Sequence, residues 1–116
     1  MASQNDNGFK SFIASGALTA FTVVAVQSDG SIKAAANNTK GNGVIQEDAA
    51  DGNYASVKLW SAPGTHQVAI SGSAVTAATA YGVITGGYMG IVTNTYLTSL
   101  TTAADADGTI VEAQVI

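Results

Sequence analysis

The chain has 116 residues, of which 47% are apolar and 10% charged, with a formal net charge of −4. That length supports one domain with one modest core. The composition excludes a disordered segment, which would show the reverse balance. The four cations, Lys10, Lys33, Lys40 and Lys58, are scattered. A phosphate-binding surface clusters them, so no nucleic-acid partner is expected.

There is no Cys, which removes disulfides and thiolate metal sites. Residues 1–8 are polar and lack a basic region followed by an apolar stretch, so no signal peptide is expected. No apolar run approaches membrane-spanning length, and no membrane partner is expected.

In chain order, residues 1–13 read as an N-terminal arm, polar at first and then carrying Phe9, Phe12 and Ile13. Residues 14–116 read as a single β domain. A strand is predicted over 18–27, a turn at Asp29-Gly30, and a return through 32–35. An Asn-, Lys- and Gly-rich loop follows at 36–43. A short strand covers 44–47, and the acidic stretch Glu47-Asp48 to Asp51-Gly52 makes a second turn. Strands are predicted over 54–60 and 66–71. Pro63-Gly64 between them fits positions i+1 and i+2 of a type II turn. Further strands are predicted over 80–85, 88–92, 96–100 and 109–116. No window has convincing helical periodicity; residues 99–106 make one helical turn at most. Turn signals at this spacing predict an all-β protein, a small β-barrel or β-sandwich.

The chain contains an internal repeat. Residues 17–35, ALTAFTVVAVQSDGSIKAA, align without gaps to residues 74–92, AVTAATAYGVITGGYMGIV. Ala17, Thr19, Ala20, Thr22, Val26 and Gly30 recur as Ala74, Thr76, Ala77, Thr79, Val83 and Gly87. One residue is then lost, and Ala50-Asp51-Gly52 recurs as Ala106-Asp107-Gly108. The physics repeats too. Asp29-Gly30 and Gly86-Gly87 are hairpin pairs that supply positive φ. Ala55, Val57 and Leu59 alternate as Val111, Ala113 and Val115 do, which marks strands with one buried face. The domain is therefore expected to consist of two related halves.

No catalytic constellation emerges, and no enzyme is expected. His66 is the one His, so any Ser–His–Asp arrangement depends on it. It shares a strand face with Val68 and Ile70 and reads as a satisfied or half-exposed strand residue. Asp105 and Asp107 beside Gly108 lack the further acidic positions and distal Glu of a calcium loop. With Asp51-Gly52 as their counterpart they read as an ordinary turn. Gly41 and Gly43 follow Lys40 without a Gly-Lys-Ser/Thr, which excludes a P-loop. No cofactor and no metal site are expected. Trp60 has two readings, a second core layer or an aromatic contact at a subunit interface. Phe9, Phe12 and Ile13 likewise either cover one end of the domain or dock onto a neighbour.

These features resemble the capsid cement, or head decoration, proteins of tailed bacteriophages. The residues that carry the resemblance are Gly43-Val44-Ile45 leading to Ala50-Asp51-Gly52 and Val57, then Ala74-Val75 before Tyr81, then the closing strand from Asp107-Gly108 to Val115. The near-absence of basic residues and the longer Asn-rich start depart from the family's pattern. The resemblance implies a small β-barrel or β-tulip-like fold. It implies a protein made in the host cytoplasm that joins the virion on the capsid exterior. There it binds the major capsid protein, as a homotrimer at three-fold sites, and braces the expanded head against internal DNA pressure. The competing expectations are a β-sandwich carbohydrate- or receptor-binding module of a tail fibre or surface structure, and a small β-barrel hydrolase or lyase.

Overall fold

The computed structural model describes residues 8–104 and 108–116. The described residues form ten strands and no helix. The first five are β1 (Phe9–Ile13), β2 (Val23–Val26), β3 (Ile32–Ala34), β4 (Gly43–Ile45) and β5 (Tyr54–Leu59). The second five are β6 (His66–Ala69), β7 (Ala80–Ile84), β8 (Tyr88–Gly90), β9 (Leu97–Ser99) and β10 (Ile110–Val115). They make two antiparallel sheets, ordered β1-β5-β4-β2-β3 and β6-β10-β9-β7-β8. The second order is the first carried onto the next five strands, so the two-halved all-β reading holds. Each sheet curls back on itself through one parallel bridge, Ala14 to Ile32 and Ile70 to Met89. Each half is thus a small barrel, and closure removes most of the free strand edge.

The registers extend the repeat and correct its alignment. Val57 pairs with Ile45 as Ala113 pairs with Ser99. Val23 pairs with Val44 as Ala80 pairs with Thr98. Ile13 pairs with Tyr54 as Ala69 pairs with Ile110. The second copy therefore shortens before β9 and lengthens again after it, rather than losing a single residue. The loops that change length carry no shared residues, so sequence identity does not locate the change. The equivalence of Ala55, Val57 and Leu59 with Val111, Ala113 and Val115 holds. In both sets the first two are buried and the third is half-buried.

The expected arm is a strand from Phe9 onward. Residues 9–13 pair with β5 along the whole of β1, and β6 is the counterpart of β1 in the second half. Residues 1–7 lie outside the described residues. The strand expected from residue 18 starts only at Val23, because Phe21 takes a left-handed backbone with φ 66° and turns the chain. The β2–β3 loop is a three-residue connection rather than a two-residue one. Gly30 N–H donates to Gln27 O at 2.9 Å, and Gln27 N–H to Ser31 O at 2.7 Å. The right-handed turn is completed by Gly30 at φ 87°.

Two cores result. Val24, Ile32, Ile45 and Val57 fill the first half with Leu18 and Ala55. Val68, Ile70, Met89, Leu97 and Val111 fill the second, joined by Val23, Ala35 and Val44 from the first. Successive residues Val23 and Val24 are both fully buried because β2 has a core on each side. Each buried Val or Ile contributes about 1.5–3 kcal/mol relative to exposure, so the shared core is what joins the halves. Backbone bonds reinforce it. Val23 N–H donates to Gly87 O at 2.7 Å, Ala69 N–H to Phe21 O at 2.8 Å, and Asn38 N–H to Val83 O at 2.7 Å.

Candidate interaction surfaces

β1 alternates its side chains about the sheet. Phe12 faces inward, beside Ala55, and packs on the first core. Phe9, Ser11 and Ile13 share the outer face with Lys58, Ser56 and Tyr54. Phe9 and Ile13 are both exposed, and Tyr54 is 70% exposed. The Lys58 ammonium stands 5.8 Å from the Phe9 ring centroid, within cation–π range. Lys10 stands 5.7 Å from Phe12. A groove of about 440 Å³ runs between this strand and the tip of the β2–β3 hairpin, lined by Phe12, Ile13, Asp29, Gly30 and Tyr54 among others. The Asp29 carboxylate accepts bonds from the Ser31 hydroxyl at 2.6 Å and the Ser31 N–H at 3.0 Å. These bonds favour the charged form and lower its pKa.

Trp60 sits apart from that face. It is half-buried and packs against the second core. Its indole N–H donates to Lys40 O at 3.0 Å. Its ring meets His66 edge-on, with centroids 5.0 Å apart. The four residues singled out from the sequence therefore do not form one patch. Phe9 and Ile13 are exposed together, Phe12 lines the first core, and Trp60 braces the junction of the halves.

His66 is fully buried rather than half-exposed. Nε2 lies 3.1 Å from Leu59 O, while Nδ1 has no partner among the described residues. Burial holds its pKa below the ordinary value, the Lys58 charge adds to that, and the Leu59 carbonyl opposes it. Among the described residues the ring has no carboxylate or hydroxyl partner. The acidic turn is structural. Asp48 accepts from Ala20 N–H and Asp51 from Gly16 N–H, both at 2.7 Å. Asp105 and Asp107 lie outside the described residues. Apolar side chains that the sequence did not single out are also exposed, chiefly Ile91 and Ile116 in the second half. Their neighbours in sequence carry no motif.

No family model matches the chain, and no curated protein matches it at a significant level. The architecture recurs in a solved structure. The chain shares its fold with the N base of the head fibre gp8.5 of bacteriophage phi29. The TM-score is 0.78 over 93% of this chain and 92% of that one, at 19% sequence identity. At that identity the likeness is one of fold. Its coverage matters, because it takes in both barrels and the junction between them.

Proposed function

We propose that this chain is a structural virion protein that decorates the outer surface of an expanded phage head. It binds the major capsid protein as a trimer at three-fold sites and braces the shell against the pressure of packaged DNA. The observation that carries this reading is the fold shared along nearly the full length of both chains with a phage head fibre base. The residues support a binding body rather than an enzyme. The one His is buried against Trp60 and Leu59 O, while Phe9, Ile13 and Tyr54 lie exposed on one face.

The mechanism is binding linkage. A protein that prefers the assembled lattice stabilises it by RT ln(1 + [L]/Kd), about 4 kcal/mol at a thousandfold excess over Kd. Many copies act on one shell, so modest contacts per copy suffice. Two compact barrels with a shared core supply a rigid body that loses little entropy on docking.

The test is saturation binding of the purified chain to expanded and unexpanded capsids, with the capsid disruption temperature read alongside. Stoichiometric binding to expanded capsids and a raised disruption temperature are expected. A chain that leaves expanded capsids bare refutes the reading. Tyr54 beside a groove favours the second reading, a carbohydrate- or receptor-binding module, since aromatic faces at grooves hold sugars by stacking. A glycan array separates the two.

A further inference from the structure

We propose that copies of this chain associate head to tail, the groove between β1 and the β2–β3 hairpin of one copy receiving the segment around Ala78 of the next. This deepens the self-association in the reading above and rests on that part of it, not on capsid attachment.

The template is the junction inside the chain. The first half presents Phe21 and Val23, and the second half receives them on Ala69 and Gly87. Ala69 N–H donates to Phe21 O, and Val23 N–H donates to Gly87 O. The contact is close: a Cβ at Gly87 would lie 2.3 Å from Val23 O. This junction is heterologous. The half that gives Phe21 and the half that receives it use different surfaces, so each half keeps one surface unused.

Both unused surfaces are visible. The receiving positions of the first half are Ile13, Gly30 and Val26, by the registers that equate them with Ala69, Gly87 and Val83. Ala69 is 2% exposed and Ile13 39%; Val83 is 0% exposed and Val26 37%. Gly87 is buried, whereas a Cβ at Gly30 would meet nothing within 4 Å. Ile13 N–H points away from β5, by the alternation of an antiparallel ladder in which Ala14 N–H donates to Asn53 O. It finds no acceptor among the described residues. The groove is therefore an unfilled copy of the place that Phe21 and Val23 take on the second half.

The giving positions of the second half are Ala78 and Ala80. Ala78 repeats the left-handed backbone of Phe21, φ 65° against 66°, so its carbonyl is presented in the same way. Ala80 and Thr98 repeat the pairing of Val23 and Val44, yet Ala80 is exposed and Thr98 half-buried where both valines are buried. The smaller Ala78 offers the groove less apolar surface than Phe21 brings to the internal junction. The contact is accordingly weaker than the internal one, as suits a joint made after folding. Repeating a heterologous contact closes a ring or extends a filament.

The chain has no native Cys, so Ile13→Cys and Ala78→Cys each carry a single thiol. The two variants, alone and mixed, are treated with a short bis-maleimide, and wild type is run by sedimentation over a range of concentrations. Covalent dimers in the mixture, well above either variant alone, are expected. Ile13→Arg is expected to weaken association by about tenfold or more, because it brings a charge into the contact, with an unchanged β circular-dichroism spectrum. Equal linkage within Ile13→Cys alone would reveal a two-fold contact and overturn the proposal. So would an oligomeric wild type that gives no link in the mixture, though a trimer built on other surfaces would survive. A wild type that is monomeric at every concentration overturns the contact, while capsid binding is judged by its own experiment.

Discussion

Phe21 and Ala78 hold the same left-handed backbone, φ 66° and 65°, two residues before the strands β2 and β7. Phe21 N–H donates to Ile45 O at 2.7 Å, and Ala78 N–H donates to Ser99 O at 2.7 Å. Ile45 and Ser99 are themselves equivalent, paired with Val57 and Ala113. Neither residue is glycine, so both halves keep a conformation that costs about 1 kcal/mol or more. In each half the turn delivers the chain into a strand that is paired on both sides.

That cost sets the first prediction. Ala78→Gly removes the Cβ from an exposed left-handed position. The relief exceeds the added entropy of the unfolded chain, so stability rises by about 0.5–1 kcal/mol. Denaturant unfolding reads it as a higher midpoint at an unchanged slope. A lower midpoint would show that the Ala78 side chain makes contacts that outweigh the strain.

Asp48 and Thr102 make a second matched pair. Ala20 N–H donates to the Asp48 carboxylate at 2.7 Å, and Ala77 N–H donates to the Thr102 hydroxyl at 3.0 Å. Different side chains thus satisfy the same backbone donor. Asp48→Ala is expected to cost about 1 kcal/mol, and Asp48→Thr, which transplants the partner from the other half, at most half of that. Thermal unfolding of the two variants checks it; equal losses would sink the equivalence.

Gly87 lies at the junction of the halves, where its carbonyl accepts from Val23 N–H. Its φ is 84°, and a Cβ there meets Val23 backbone. Gly87→Ala must part the junction or distort the β7–β8 turn, at a cost of about 3 kcal/mol. Gly64→Ala, at φ 90° but with nothing within 4 Å of its Cβ, carries only the backbone cost of about 1 kcal/mol. Comparable losses at the two sites would mean that the junction yields easily.

His66 makes stability depend on pH. Its folded pKa is lowered, chiefly by burial. Below about pH 6.5, the ordinary value for His, the unfolded chain binds a proton that the folded chain refuses. Its contribution is therefore present above that pH and is lost as pH falls toward the folded value. The melting temperature is expected to drop between pH 7.5 and 5.5, and His66→Leu is expected to flatten that drop. An equal drop in both proteins would assign it to the carboxylates.

The class of fold, its two halves and most of its strands follow from the local pattern of residues. Alternating Ala55, Val57 and Leu59 and their counterparts can satisfy only a pleated sheet with one buried face, and period-two patterns are local. The hairpin glycines were legible for the same reason, since positive φ is a property of single residues. Tertiary structure alone decided three things. The edge strand at Phe9–Ile13 reads as an arm because its ladder partner, Tyr54–Leu59, lies far along the chain. The burial of His66 and the bracing by Trp60 depend on the second barrel packing against the first. The open groove at Ile13 shows only beside the filled one at Ala69, because a heterologous junction uses two different surfaces and leaves no mark in a repeat of residue types.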